Sequence, residues 1–425
     1  MKVELVVMPT SVLYIVHSSS LGGAPLSLRR FLERLDRTRY EPTVACCYNV
    51  PEVLDLFHSL DIEAFYWPGI DIFPHTTLGW HSLLSPMGMV GMLQSITRFS
   101  PSIQATMKLV QSVGPDIVHL NSLVLAPSAI GVKRAGVKLV WHIREPVHPG
   151  HFGLRRRWLG MLAKSLPDEI VFICEQNRQQ LMGQCRGGRV VHNIVDFNRF
   201  DRRLGGLMTR EELGLAPSAE VILFLGGMSQ IKGATVLLAA LPYVKQRVPE
   251  LEVIIAGALG PQSNSVVARV ARKVLPLVGS GTQRQQFDTL LDDGHMRSYV
   301  HLLPFRRDPE RLMAATDVVV APFTVPHYGM PVVEAGAMAK PVVASRIGGL
   351  EEAVVDGQTG LLVAPNDPAA LANAIVSVLN DKSLAHLLGE AGYQRAFLNH
   401  NADAHVRKIQ MIYDQVFDQH EEFIR

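Results

Sequence analysis

Apolar residues along this chain gather in short uninterrupted runs, and the runs alternate with stretches where apolar positions recur at helical spacing. In the first half the runs predict buried strands at Val12–His17, Pro42–Cys47, Ile117–Leu120, Lys138–His142 and Glu169–Ile173, with Val190–His192 as a candidate last one. In the second half they predict Val221–Leu225, Glu252–Ala256, Val300–Leu303, Val318–Ala321, Pro341–Ala344 and Gly360–Val363. After the first run, Leu28, Phe31, Leu32 and Leu35 recur at i, i+3, i+4 and i+7, one face of a helix. Such alternation predicts an α/β protein built of parallel βαβ units. The chain also opens the same way twice. VLYIVHSSSLGG from Val12 and VILFLGG from Val221 each end in paired glycines ahead of a helical pattern. Arg199–Gly206 is charged and lacks an apolar run, so the expected domains are 1–200 and 201–402, with a helix over 403–425. Phe65–Ile103 and Asn264–Met296 fit poorly and read as insertions or long loops.

Length and charge narrow the classes. The 425 residues exceed one core, and 48% are apolar, enough for two substantial ones. A net charge of +2 argues against a dedicated nucleic-acid binder. The four cysteines (Cys46, Cys47, Cys174, Cys185) lack Cys-x-x-Cys spacing and read as free thiols of a reducing compartment. Glu4 interrupts the first apolar stretch, which reads as no secretory leader, and no run is long enough to span a membrane. A cytoplasmic protein is the expectation.

Candidate chemistry lies where strands meet loops. APFTVPHYGMPVVEAGAMAKPVVASRIGG, Ala321 to Gly349, reads as strand, loop, short helix, strand and glycine turn. Gly329 leads into Pro331, favoured in a helix's first turn, and Glu334 is placed at the end of that turn. Helix amides there suit an anion, and the carboxylate suits hydroxyl groups. GGMSQIKG ends in Lys232 and Gly233 just ahead of a helix, a setting for a diphosphate. Gly22 and Gly23 let backbone approach a phosphate or sugar. His142, in WHIREP, is placed at the carboxyl end of its strand, where open α/β sheets bind ligands. Arg144, Glu145 and Asn121 are candidates for lining the same cleft, while His119 reads as structural.

The Ala321–Gly349 stretch resembles the donor-binding signature of the GT-B glycosyltransferases of family 4. Glu334, the alanine-rich helix, Pro341–Ala344 and Gly348–Gly349 carry the likeness, with Pro326 where the family's first glutamate stands. Lys232 and Gly233 match the family's Gly-Arg, four residues, Lys-Gly pattern, with Gly227 in the arginine's place. HNIVDFNRF resembles the family's domain junction. The resemblance implies two Rossmann-like domains facing across a cleft, the second holding an NDP-sugar, UDP- or GDP-linked, and the first the acceptor. The helix over 403–425 would return to the first domain. It implies transfer with retention to a hydroxyl acceptor, in polysaccharide or glycolipid assembly. The implied donor set is Gly22, Gly23, Gly227, Lys232, His327, Tyr328, Gly329, Met330, Pro331, Val332 and Glu334; the implied catalytic residues are His142, Lys232 and Glu334. No Asp-x-Asp pair occurs, so no metal or other cofactor is expected. An NDP-sugar 2-epimerase and a catalytically impaired nucleotide- or partner-binding GT-B protein remain as alternatives.

One further segment has two readings. On a helix over 153–166, Leu154, Trp158, Met161 and Leu162 share a face, and Arg155, Arg156 and Lys164 lie away from it. That fits either an anionic membrane surface, making the protein peripheral on the inner face, or a helix packed on its sheet.

Overall fold

The computed structural model describes residues 8–19, 21–73, 86–147, 149–185, 187–259, 281–293 and 295–424. They form two compact units, 1–194 with 402–425, and 195–401.

The first unit is built on a seven-stranded parallel sheet ordered β3-β2-β1-β4-β5-β6-β7. Its strands are β1 (Thr10–Val16), β2 (Tyr40–Cys46), β3 (Glu63–Tyr66), β4 (Ile117–Leu120), β5 (Lys138–Ile143), β6 (Glu169–Phe172) and β7 (Arg189–Val190). Both faces are covered, so alternate residues of one strand enter different cores. Val12, Tyr14 and Val16 pack with Leu28, Phe31, Ile409 and Tyr413 on one side. Leu13 and Ile15 pack with Leu109, Trp141 and Leu159 on the other. Continuous apolar runs, rather than alternating ones, are what such a sheet requires. The terminal helix Ala402–Ile424 joins this unit because Val406, Ile409, Tyr413 and Val416 fall on one stripe and are buried there.

The second unit has a six-stranded parallel sheet ordered β10-β9-β8-β11-β12-β13. The strands are β8 (Glu220–Phe224), β9 (Leu251–Leu259), β10 (Val300–Pro304), β11 (Val318–Ala321), β12 (Val342–Ser345) and β13 (Leu361–Val363). Every residue of β11 and β12 is buried. Each unit is thus a Rossmann-like α/β layer structure.

Three expectations change. Much of Phe65–Ile103 is regular: Pro86–Val113 is a single helix of 28 residues, while 74–85 lie outside the described residues. Pro101 sits inside that helix at an exposed position. In Asn264–Met296, Gly281–Asp293 is also helical; 264–280 lie outside the described residues, as do 1–7, where the leader question falls. The helix Leu154–Ser165 buries Leu159, Gly160 and Ala163, with Trp158 and Leu162 packed beside them, so Leu154 and Met161 are exposed rather than part of the packed face. No described helix is long and apolar enough to cross a membrane.

Candidate active site

Both sheets have a point where the chain reverses its direction of travel. In the first unit β1 to β3 run one way and β4 to β7 the other, so β1 and β4 are neighbours at the switch. In the second, β8 and β11 hold the same place. The loops leaving such strands diverge and open a crevice at the carboxyl ends.

At the second unit's switch, β8 runs into Gly226–Gly233 and then the helix Ala234–Arg247, which no side chain caps. Gly233 has φ +84°, and a Cβ there would stand 1.8 Å from the Pro322 carbonyl oxygen. Only glycine fits. The close approach ties this loop to the one leaving β11, where the Thr324 amide donates to the Ile231 carbonyl at 3.0 Å and its hydroxyl to the Gln230 carbonyl at 3.0 Å. Lys232 is held between the two loops. It is half-buried, burial pulls its ammonium pKa down, and no described carboxylate pairs with it. A desolvated cation without a counter-ion is a site waiting for an anion.

The family's arginine position has a structural cause for its glycine. Gly227 has φ +58° and rests against the second strand's Gly257, whose carbonyl oxygen would be 2.5 Å from any Cβ added at Gly227. No side chain can occupy that point without moving β9. Two arginines of this unit that could supply the missing charge are already engaged. Arg306 is bonded to Asp308 and Glu212, and Arg346 to Asp356.

Beyond β11, the helix Met330–Ala337 begins with Met330 and Pro331, both partly exposed. Pro331 has no N–H, and the Val332 N–H donates to the Gly329 carbonyl at 3.0 Å, so this turn offers an anion fewer amides than expected. Glu334 is fifth in the helix, just past the end of the first turn where it was expected, and the first turn holds no acid. Val332 is buried in the unit's core. Tyr328 is turned inward, its hydroxyl 3.1 Å from His400 Nε2. His327 is half-buried on the loop, its ring 5.8 Å from that of Phe323.

The first unit's switch is wired differently. Arg144 follows β5, and its guanidinium donates to Asn121 Oδ1 at 2.6 Å, Asn193 Oδ1 at 2.7 Å and Ser27 Oγ at 3.0 Å. Burial pushes it down to about 10, against the pull of the neighbouring Glu145. Glu145 accepts from the Ser122 hydroxyl and from the Leu123 N–H at 3.2 Å. Asn121 Nδ2 reaches the Ala24 carbonyl at 3.5 Å, joining this network to Gly22 and Gly23 at the start of Gly23–Leu32. Asn121, Arg144 and Glu145 are therefore brought together by direct bonds.

His142 is not part of that set. The strand extends to Ile143, so His142 stands within β5 rather than beyond it. Its ring is sealed in the interior, 5.5 Å from the His119 ring and 6.4 Å from that of His405, with neither nitrogen bonded. Burial, then Arg144, holds it neutral, with its pKa well below the usual imidazole value. His142 therefore stands apart from the network that joins Arg144 to Asn121, Asn193 and Ser27. His17 directly follows β1 at the same switch, and its place at the end of the first apolar run is its only mark in the sequence. Among the described residues no three His, Cys, Asp or Glu side chains gather where a metal ion could be held.

Comparison with known proteins agrees with this architecture. Residues 208–395 match the model of the family Glycosyl transferases group 1. The chain has a GT-B-type fold, and its second unit is similar to that family. It is similar to the D-inositol 3-phosphate glycosyltransferase of Corynebacterium urealyticum, 35% identical over 192 residues, covering 44% of this chain and 41% of that one. The counterpart of Mycolicibacterium vanbaalenii is 31% identical over 261 residues, covering 55% and 54%. The chain thus spans about half the length of the curated relatives it matches, or less. Among solved structures, Anabaena Alr3699/HepE in complex with UDP-glucose superimposes with a TM-score of 0.74 at 21% identity, covering 95% of this chain and 99% of that one.

Proposed function

We propose that this chain is a retaining glycosyltransferase that moves a sugar from an NDP-sugar to a hydroxyl acceptor. The observation that carries this is Lys232, a desolvated cation without a carboxylate partner at the second unit's switch point. When the diphosphate leaves, negative charge develops on its oxygens, and a preorganised ammonium in a dry loop stabilises that charge as it forms. Gly227 and Gly233 bring the backbone of the same loop to the ligand, and Glu334 with His327 and Gly329 of the neighbouring loop serves the donor's hydroxyl groups. Acceptor binding is assigned to the first unit, at Asn121, Arg144 and Glu145. Donor identity as a UDP-sugar draws support from HepE, solved with UDP-glucose. The relatives named for D-inositol 3-phosphate support a polyhydroxyl acceptor.

An anionic membrane surface is the proposed location of the acceptor, in polysaccharide or glycolipid assembly. Phe152, Leu154 and Met161 are exposed beside Arg156, Arg157 and Lys164, an apolar and basic combination suited to lipid headgroups. Vesicles containing anionic lipid should co-sediment the chain at low salt, and absence of binding there removes this part of the reading.

The glycine at 227 and the proline at 326 favour one competitor, a protein that binds nucleotide without transferring sugar. Thermal unfolding against UDP, GDP, ADP and their sugar conjugates separates the two. A ligand at about 100 times its Kd adds about 2.7 kcal/mol. Stabilisation by one nucleotide, increased by its sugar, supports transfer. Equal stabilisation with and without sugar supports the competitor, and no shift at all removes both.

A further inference from the structure

His17 leaves β1 at the first unit's switch point and faces Glu145, which leaves β5. Its Nε2 is 4.0 Å from Glu145 Oε1. That is beyond direct hydrogen-bond reach, and one oxygen atom between them can bond to both. Glu145 is fixed in place by Ser122 and the Leu123 amide. His17 Nδ1 is sealed from solvent and has no hydrogen-bond partner. A proton on Nδ1 would be a buried, unpaired donor, so the neutral ring keeps its proton on Nε2, aimed at the gap. A Cβ at Gly23, further along, would meet no described atom within 4 Å. Charge decides the class of ligand. The buried Arg144 cation is engaged by Asn121, Asn193 and Ser27 and stands beside the Glu145 anion, so the two charges offset each other and an anionic group gains little here.

We propose that His17 and Glu145 form a clamp for one hydroxyl of a neutral polyhydroxyl acceptor. The hydroxyl donates to Glu145 Oε1 and accepts from His17 Nε2–H. The proposal rests on the assignment of the acceptor to the first unit.

The test is proton NMR of the histidine rings in the full chain, with saturating UDP, during titration with myo-inositol and with glucose. The His17 signal, assigned by its loss in His17→Gln, should move saturably with at least one of the two. Glu145→Gln should weaken that binding about tenfold, the loss of one charged hydrogen bond. If Glu145→Gln does not fold, His17→Gln carries the test, and polyol-dependent thermal stabilisation should fall by a similar factor. A His17 signal unmoved by either polyol, or a titration unchanged in the variants, overturns the clamp. UDP stabilisation is read in the same samples. Its absence in the wild type overturns the donor reading, whereas its presence with an unmoved His17 signal overturns the clamp alone.

Discussion

The two switch points share a topology and differ in how their charges are balanced. In the second unit, Lys232 is desolvated and faces no described carboxylate, and the loops around it close only because Gly227 and Gly233 lack side chains. In the first, Arg144 and Glu145 are satisfied by neighbouring donors and acceptors before any ligand arrives. On the proposed function, the unbalanced cation takes the anionic donor and the balanced pair the acceptor's hydroxyls. One strand order thus carries two charge environments, and the difference lies in a few residues at the strand ends.

The strongest way to break this contrast is at the glycine contact. Gly233→Ala should cost about 3 kcal/mol in urea unfolding, since it combines a left-handed backbone with a direct clash on Pro322. Gly227→Arg, which restores the arginine of the family pattern, should cost about 2 kcal/mol and bring no gain in UDP affinity, because Gly257 blocks the side chain's path. A tighter-binding, fully stable Gly227→Arg would show that the loop rearranges freely. Lys232→Met should weaken UDP binding by about 2 kcal/mol in calorimetry while leaving the unliganded chain as stable or more so, because a buried charge is removed. Unchanged affinity would end the contrast.

Acid should act on the first unit. His119 is held down to about 3 and His142 well below 6.5, both first by burial. Folded-state values below the unfolded ones mean that the unfolded chain takes up protons first. Their contribution is intact above pH 6.5 and is lost as the pH falls below it, at about 1.4 kcal/mol per pH unit for each histidine. The groups around His142 are His119, His405 and Arg144, and replacing His142 with Leu should flatten its share of the slope without changing the UDP shift. The smallest effect is expected for Tyr328→Phe. Loss of the bond to His400 should cost about 1 kcal/mol and leave nucleotide affinity unchanged.

Much of the fold was legible in the chain. Buried parallel strands need continuous apolar runs, and eleven of the expected strands and the candidate twelfth overlap observed ones. β3, with only Ala64 buried along Glu63–Tyr66, left too weak a signal. The helix at Pro86–Val113 was hidden by Pro101, which stands inside it. Direction along β5 was not legible, because a sheet covered on both faces buries Trp141 and His142 alike and leaves no alternation to read.

By itself, then, the sequence determined the strand–helix alternation, the two glycine-rich openings and the presence of Lys232 ahead of a helix, all of which depend on local residue order. Only the tertiary structure decided that β1 adjoins β4 and β8 adjoins β11, that Gly227 meets Gly257, and that His142 points inward while His17 meets Glu145. Those are contacts between residues far apart in the chain, and they are set by packing, which no local pattern encodes.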